Sequence, residues 1–394
     1  MRKSQFIFAL MLSTSFATMA RADDTSSLAN CEDHAGKGNC VQIGTSGTYY
    51  ALSGAANNQT MTIYGTKGSE SNAATVPEYA FYDDESWEST VPVGVTSLKT
   101  SGNVNIGEYA FYGASGLTSA NLTGVQTIGR GAFGSEPDFG LTCGLTSIDL
   151  TGVQTIGNYA FSGATGLTGH LDLSGVQSIG DDAFSSTGLT SVNLTGVQTI
   201  GRAAFFKTTN LTSVDLTGVQ SIGYGAFMDA TGLTSVVISD SLLDSNGNIL
   251  GYSCDVNNVC AGIGIYDFEE SGLSTIYCPT DRTCGNNFMG LSDTPTIISY
   301  SKNDDGTYSV GDNTYANADM MTKGITCEGA QCTALRTALD AGGTCSTQDA
   351  CNTLAAEYAT PQPTKPQRAD IRIYTIEEAN AVAGKVNRVS IKYR

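Results

Sequence analysis

Apolar and polar residues alternate in short stretches through the middle of the chain, and the alternation changes phase inside each stretch. Each stretch follows the pattern L-x-x-V-x-L-x-x-V-x-x-I-G-x-x-A-F, whose first part has the two-residue period of a strand. The later Ile-Gly and Ala-Phe positions break that period. We therefore predict that every copy consists of a strand, a turn and a helical half-turn.

Five clear copies of this pattern follow one another along the chain. They begin at Leu117, Leu145, Leu167, Leu189 and Leu211. The first two starts are 28 residues apart and the others 22, because an insertion around residues 136–143 lengthens one copy. His170 adds one further residue, which a shorter turn after Phe184 compensates. So short a unit cannot bury its own apolar face, so neighbouring units must stack into a solenoid.

Stacking would bring equivalent apolar residues of successive coils together. One predicted ladder consists of Ile128, Ile156, Ile179, Ile200 and Ile222. A second consists of the phenylalanines that close clear and cruder copies, namely Phe81, Phe111, Phe133, Phe161, Phe184, Phe205, Phe227, Phe268 and Phe288. The nine phenylalanines predict a solenoid of about nine coils, with a parallel sheet and a cap at each end. The glycine after each Ile fits either a positive φ or a close approach of two backbones.

The combination of L-x-x-I/V-x-L with I-G-x-x-A-F resembles the bacterial BspA-like leucine-rich repeat proteins. The resemblance covers about residues 60–290 and is strongest in the five clear copies. It departs from the commoner leucine-rich repeat, which has Asn or Cys where this chain has Val125, Val153, Val176, Val197 and Val219. The resemblance implies a right-handed β/α solenoid. It also implies a secreted or surface protein that acts in adhesion or protein recognition, and it identifies no ligand.

Two groups of outward-facing residues are candidates for binding a partner. The first is a column of small polar residues at the strand ends: Asn121, Asp149, Asp172, Asn193 and Asp215. The second is a set of aromatic residues in the turns: Tyr79, Tyr82, Trp87, Tyr109, Tyr112, Tyr159 and Tyr224. The aromatic set is the richer candidate, because interface hot spots favour Trp, Tyr and Arg. Each aromatic could instead simply cover the convex side of the solenoid.

The flanks of the repeats divide the chain into further segments. We predict a signal peptide at 1–22, an N-terminal cap at 23–60 and the solenoid at 61–296. Residues 297–359 predict a C-terminal cap, with a hairpin at Asp305-Gly306, a helix over Ala330–Asp340 and a helix capped by Ser346. A Pro-rich linker at 360–368 precedes a basic strand-helix-strand tail at 369–394. The tail could dock on another protein, serve as a retention signal or pack on the cap.

The N-terminus has the features of an exported protein. Arg2 and Lys3 precede an apolar stretch from Phe6 to Phe16, and Ala20-Arg21-Ala22 provides a cleavage site. We predict cleavage after Ala22, which places the protein in the secreted or cell-surface class. No later segment has the roughly 18 apolar residues that a transmembrane helix requires.

Ten of the eleven cysteines lie in close pairs along the chain. The pairs are Cys31 and Cys40, Cys254 and Cys260, Cys278 and Cys284, Cys327 and Cys332, and Cys345 and Cys351. Five local disulfides are the favoured interpretation for an exported chain. Zinc is the alternative, but its sites prefer closer cysteines. Cys143 has no sequence neighbour, so it is either a free thiol or the partner of a distant group.

Composition and charge restrict the class of partner. Glycine supplies 46 of 394 residues, and charged residues make up 15% of the chain against about 25% in ordinary domains. The formal net charge is -18; residues 23–363 carry -25, whereas residues 364–394 carry +4. Nucleic acid is excluded as a partner, because phosphate backbones bind Lys and Arg. We expect a protein or glycan surface, possibly a basic one, and the oligomeric state stays open.

The sequence contains no recognised catalytic or metal-binding motif. It lacks G-x-S-x-G, H-E-x-x-H and G-x-x-x-x-G-K, and neither His34 nor His170 has a nucleophile at a known spacing. We predict no catalytic residues, no metal site and no cofactor. The leading hypothesis is a non-catalytic recognition or adhesion protein that binds a macromolecule through its solenoid and loops. A structural envelope or matrix component without a specific ligand, and a secreted enzyme with an unrecognised site, are the alternatives.

Overall fold

The structure is a computed structural model that describes most of the repeat region and part of the C-terminal segment. The described residues are 41–43, 48–64, 74–83, 88–136, 141–238, 240–242, 253–254, 260–261, 268–280, 295–340 and 343–359. The chain divides into two compact units, Met1–Lys302 and Asn303–Arg394. The predicted signal peptide, Pro-rich linker and basic tail lie outside the described residues.

The regular elements in the described residues of the first unit are almost entirely short strands. They are β1 (Val41–Ile43), β2 (Thr48–Ala55), β3 (Asn58–Tyr64), β4 (Ala74–Val76), β5 (Tyr82–Asp83), β6 (Glu88–Ser89), β7 (Val95–Ser101), β8 (Val104–Ile106), β9 (Ser119–Asn121), β10 (Thr127–Ile128), β11 (Ser147–Asp149), β12 (Thr155–Ile156), β13 (Thr168–Asp172), β14 (Ser178–Ile179), β15 (Gly188–Asn193), β16 (Thr199–Ile200), β17 (Ser213–Asp215), β18 (Ser221–Ile222), β19 (Ser235–Val237), β20 (Ser253–Cys254), β21 (Cys260–Ala261), β22 (Thr275–Pro279) and β23 (Thr296–Lys302). A single 3-10 turn at Asp240–Leu242 follows β19.

Two parallel ladders run through the coils of the first unit. The longer strands form the first ladder, which begins with the antiparallel strands β1, β2 and β3 and continues in parallel through β7, β9 and β11. The two-residue strands form the second ladder, in the order β18-β16-β14-β12-β10-β8-β4. The predicted parallel-strand repeat architecture is therefore present in the described residues.

The returning side of each coil differs from the predicted helical half-turn. In the described residues of the first unit it consists of turns and two-residue strands. The physical reason is that backbone N–H groups donate to the next coil: Phe133 N lies 2.8 Å from Ala160 O, and Phe161 N lies 2.8 Å from Ala183 O. Groups bonded between coils are not free for the bonds within one segment that a helix requires.

The core of the first unit is built from columns of equivalent residues. Eight phenylalanines stack ring on ring, with centroids 5.0 to 5.5 Å apart: Phe81, Phe111, Phe133, Phe161, Phe184, Phe205, Phe227 and Phe268. The isoleucines of the second ladder pair in register, from Ile106 to Ile222. Because every ring is buried, these columns supply much of the apolar area that holds adjacent coils together.

The extra residue at His170 interrupts one ladder and not the other. The register of β13 against β15 shifts between Gly169 and His170, and these two strands form a separate pair between β11 and β17. The ladder of two-residue strands passes the same coils without a break. The insertion is therefore absorbed on the side of the longer strands.

In its described residues, the second unit combines a hairpin with three helices. Its elements are β24 (Tyr308–Val310), β25 (Asn313–Tyr315), α1 (Ala318–Thr322), α2 (Ala330–Asp340) and α3 (Gln348–Ala359). Strands β24 and β25 pair around Gly311, a hairpin that the sequence analysis missed. Helix α3 is capped by the Thr347 hydroxyl, which accepts from Ala350 N, one residue later than the predicted Ser346 cap.

Candidate binding surface

One position of the coil, two residues before seven of the eight stacked phenylalanines, has a left-handed backbone. Tyr79, Tyr109 and Tyr159 occupy it with φ of 56°, 52° and 58°. Other coils place Gly131, Asp182, Ala203 or Gly225 there. Because left-handed residues point their side chains away from the core in the same way in each coil, equivalent side chains come into line on the surface.

Three tyrosines and one arginine form a continuous stack along this line. The rings of Tyr79 and Tyr109 lie 5.2 Å apart at an interplanar angle of 6°. The Arg130 guanidinium carbon lies 5.8 Å from the Tyr109 centroid and 5.5 Å from the Tyr159 centroid. We call Tyr79, Tyr109, Arg130 and Tyr159 the tyrosine–arginine stack. It spans four successive coils.

A glycine makes room for this stack. A Cβ atom built on Gly131 would lie 2.5 Å from the Tyr109 ring, so only glycine lets the ring cover this turn. Tyr82 and Tyr112 lie beneath the stack and are buried, with their rings 5.0 Å apart edge to face. Burial and the neighbouring Glu136, which accepts a hydrogen bond from the Tyr112 hydroxyl, raise the pKa of Tyr112. These tyrosines support the surface and do not present their rings to a partner.

The far end of the stack meets acidic residues. Tyr159 is 39% exposed, and its hydroxyl donates to the Asp182 carboxylate. Burial raises the pKa of Asp182, and burial together with Asp182 raises that of Tyr159. Beyond them, Arg202 lies 5.7 Å from the Tyr224 centroid in a second, separate cation–π pair.

The polar column at the strand ends has a role inside the coils. Each of its five members accepts a hydrogen bond, through a side-chain oxygen, from the backbone N–H two residues later, at 2.9 to 3.1 Å. These bonds are Asx turns, which shape the end of each strand. Asn121 also donates to Asp149, Asn193 donates to Asp172, and the bonds from Thr151 hold the pKa of Asp149 below its usual value. A binding role for Asn121, Asp149, Asp172, Asn193 and Asp215 stays a prediction.

The structure describes part of the predicted cysteine pairing. Cys327 is bonded to Cys332, and Cys345 to Cys351. Cys278 is also disulfide-bonded. Cys254 and Cys260 stand opposite each other in the antiparallel pair β20 and β21. Cys143 is a free, buried thiol, and burial raises its pKa to about 11.

Several predicted residues lie outside the described part of the chain. They are Cys31, Cys40, Cys284, Phe288, Trp87 and His34. The described residues contain no group of three or more His, Cys, Asp or Glu that could hold a metal ion. Within that same part, no helix combines the length and the apolar character needed to cross a membrane.

His170 has one polar contact that resembles part of a catalytic pair. Its Nδ1 lies 3.0 Å from the Ser191 hydroxyl. Both residues lie on the open surface of the β13 and β15 strands, at an exposed contact. An acyl-transfer site requires a water-excluding pocket with oriented donors around the nucleophile, and an open strand surface does not supply it.

The stack could not be assembled from the sequence alone. The sequence pattern identifies the tyrosines of the stack because each lies two residues before a phenylalanine of the ladder. Arg130 lies one residue earlier in its own copy, three residues before Phe133. The available signal was the exchange of Glu-Tyr, at 108–109, for Arg-Gly, at 130–131, in adjacent copies. Such an exchange is expected where the side chain of one coil, here Tyr109, covers a glycine of the next coil, here Gly131.

Comparisons with known proteins agree with the repeat architecture. The model of the BspA type leucine rich repeat region matches residues 66–139 and 136–257, with six copies. A search of curated proteins found no match.

Three solved structures are similar to this chain. The first is a leucine rich cell surface protein from Faecalibacterium prausnitzii A2-165, at 23% identity over 68% of this chain and 77% of that chain, with a TM-score of 0.40. The second is a leucine rich repeat protein from T. pallidum, at 24% identity over 54% of this chain and 75% of that chain, with a TM-score of 0.26. The third is the pneumococcal vaccine antigen PcpA, at 15% identity over 68% of this chain and 89% of that chain, with a TM-score of 0.26.

Proposed function

The repeat region of this chain belongs to the BspA-type leucine-rich repeat family, and from that premise we propose that the protein is a non-catalytic recognition or adhesion protein of the cell surface or extracellular space. It binds a macromolecular partner, a protein or a glycan surface, through the tyrosine–arginine stack and the neighbouring turns. It needs no cofactor, because binding involves no bond making or breaking.

The observation that carries this proposal is the backbone cost of the tyrosines in the stack, above all of the exposed Tyr159. A left-handed conformation costs a residue with a Cβ about 1 to 2 kcal/mol, and the repeat accepts glycine there in Gly131 and Gly225. Tyr159 occupies the same position while remaining 39% exposed, so core burial does not offset its cost. Strained residues of this kind gather at ligand-binding surfaces.

The chemistry of the stack suits recognition of a large partner. Tyrosine and arginine are enriched in interface hot spots. Tyrosine buries a large area with few rotatable bonds and retains a polar group at its tip. In the stack, each ring is already fixed by its neighbours on adjacent coils. A surface fixed before binding loses less entropy when the partner arrives. The residues of the Asx turns suit this role less, because their side chains are small and their side-chain oxygens already accept hydrogen bonds from the backbone.

Export to the surface is part of the same proposal. The sequence supports it through the charged start, the apolar stretch and the Ala-Arg-Ala site. We expect N-terminal sequencing of secreted protein to begin at Asp23. A mature chain that begins at a lipid-modified Cys31 would contradict this part of the proposal and would indicate anchoring through a lipid.

The experiment compares the full chain with a variant that lacks the exposed rings. Tyr109→Ala combined with Tyr159→Ala places alanine where Ala203 stands in another coil, so the backbone has a native precedent. Both proteins are labelled and incubated with isolated envelope fractions and immobilised extracellular matrix proteins. We expect the double variant to retain its circular dichroism spectrum and to lose binding by about tenfold or more.

The matched control changes two exposed residues of the repeat coils that lie outside the stack. Gln154→Ala combined with Gln198→Ala should bind as the parent does, because these side chains belong to a different turn of the coil. Equal binding by the tyrosine variant and the parent would contradict the assignment to the stack. Chemical turnover of any bound molecule would contradict the non-catalytic function, and binding to none of the fractions would favour a structural envelope component.

A further inference from the structure

Two exposed acidic residues flank the N-terminal end of the tyrosine–arginine stack. Glu78 and Glu108 directly precede Tyr79 and Tyr109, at the coil position that Arg130 fills one coil later. We propose that the segment of the partner that contacts this surface is basic, a polypeptide whose Lys or Arg side chains pair with Glu78 and Glu108 and lie along the two tyrosines. This inference rests on the proposed function and narrows it to one class of partner.

Cations of the chain itself show how this surface is used. Residues 100–280 contain three Lys or Arg residues, and each lies over an aromatic ring. Arg130 lies between Tyr109 and Tyr159, Arg202 lies over Tyr224, and the Lys207 ammonium lies 4.9 Å from the Phe206 centroid. The aromatic rings on the turns of this protein therefore attract its cationic side chains.

Among the described residues, neither Glu78 nor Glu108 at the N-terminal end of the stack forms a salt bridge. In the described residues 74–83 and 88–108, the single Lys or Arg is Lys99, which pairs in register with Asn121 on the longer strands. Glu78 and Glu108 are exposed, and Tyr79 and Tyr109 are half-buried. Their hydroxyls and ring edges can cover the aliphatic stem of a long cationic side chain while the carboxylate meets its head group.

The packing of the rings argues against a neutral sugar as the partner. A sugar ring stacks on an open aromatic face, but the facing sides of Tyr79 and Tyr109 lie against each other. The second face of Tyr109 is covered by Arg130. Both faces of Tyr109 are therefore covered, whereas Glu78 and Glu108 are exposed. The charge of -25 over residues 23–363 adds a long-range attraction for a basic partner and none for a neutral one.

The test uses the full chain and two synthetic peptides. One peptide alternates glycine with arginine, and its control replaces each arginine by citrulline, which has the same shape without the charge. Binding is measured by surface plasmon resonance. We expect the arginine peptide alone to bind, and its affinity to fall about tenfold between about 50 and about 300 mM salt.

Two charge variants locate the site. Glu78→Gln with Glu108→Gln should weaken binding of the arginine peptide by about fivefold. Asp304→Asn with Asp312→Asn changes the net charge equally at two exposed residues of the second unit, so this control should weaken binding by less than about twofold. Equal losses in both double variants would overturn the inference, since they would show that the whole acidic chain attracts the peptide.

Other outcomes separate this inference from the proposed function. Failure of the arginine peptide to bind, or equal binding of the citrulline peptide, overturns the basic partner. Binding of a neutral glycan that Tyr109→Ala with Tyr159→Ala abolishes, and that Glu78→Gln with Glu108→Gln leaves unchanged, also overturns it while leaving the stack as a recognition surface. If Tyr109→Ala with Tyr159→Ala weakened the binding of no partner, the proposed function itself would be contradicted.

Discussion

Single residues in this protein stabilise the coils mainly through contact with their equivalents in the neighbouring coils. The rings of Phe184, Phe205 and Phe227 lie 5.4 and 5.3 Å apart, nearly parallel, and all three are buried. A ring in the middle of this column therefore contacts two others, so its loss would affect both adjacent coils.

Replacement of Phe205 by alanine should destabilise the protein strongly. We expect Phe205→Ala to lower the free energy of unfolding by about 3 to 5 kcal/mol, because the buried ring leaves a cavity between two rings. Urea unfolding followed by circular dichroism measures the change. Phe205→Leu keeps more of the volume and should lose less, while Ser213→Ala on the outward face should shift stability by less than about 0.5 kcal/mol. Coincident midpoints for parent and Phe205→Ala would refute the core role.

The thiol of Cys143 should be unreactive until the protein unfolds. Burial raises its pKa to about 11, so at pH 8 very little of the reactive thiolate is present and reagents cannot reach it. A thiol-specific reagent should label no cysteine in the native protein. In denaturant without reductant it should label one per chain, and the label should map to Cys143. Labelling of several cysteines would show that the predicted disulfides are incomplete.

Turns decide how closely successive coils approach each other. The glycine after each ladder isoleucine has no positive φ, so of its two predicted reasons the structure supports close backbone approach. At Gly157, a Cβ atom would lie 2.8 Å from Arg130 N and 2.9 Å from Ile128 O. Both contacts are with the backbone of the preceding coil, which cannot move aside as a side chain can.

A pair of glycine substitutions tests this close approach. Gly157→Ala should destabilise the protein by about 1 to 3 kcal/mol, because the added methyl group forces two coils apart. Gly175→Ala is the matched control: its Cβ atom would lie 3.5 Å from Val153 O, an ordinary contact, and its φ lies outside the left-handed region. The control should be neutral or more stable by up to about 1 kcal/mol. Urea midpoints decide between them, and equal shifts would argue against the contact.

At the scale of the whole molecule, charge separates two functions along the chain. Residues 23–363 carry -25 and residues 364–394 carry +4, with prolines between the repeats and the basic tail. An acidic array suits solubility and attraction of basic partners, while a short basic segment suits attachment to an acidic surface. We therefore propose that the repeats bind the partner and that the tail retains the protein at the cell.

Deletion of residues 364–394 should separate these two functions. The shortened protein is expected to bind partners as the full chain does, because the tyrosine–arginine stack lies far earlier in the sequence. Less of it should remain with the cells and more should appear in the medium, as measured by immunoblotting of both fractions. A folded, shortened protein that no longer binds any partner would show that recognition belongs to the tail.

The sequence by itself determined the repeat, its period and the residues of its core. A 22-residue unit with fixed apolar positions has few ways to bury them, so the isoleucine and phenylalanine columns follow from periodicity. Helices α2 and α3 were predictable for a similar reason, since capping residues, glycines and helix formers lie close together along the chain. In both cases the local sequence pattern itself contains the physical reason for the structure that forms.

Only the tertiary structure decided what the surface residues do. The predicted helical half-turn is a run of turns instead, because alternate backbone N–H groups in it bond to the next coil, a partner that no single copy contains. The outward position of Asn121 and its equivalents predicts a binding role, yet their side-chain oxygens accept the backbone hydrogen bonds of Asx turns. Arg130 joins Tyr109 to Tyr159 because three coils bring them together. Contacts between coils depend on how each copy differs from its neighbour, and the stacked structure alone places those differences side by side.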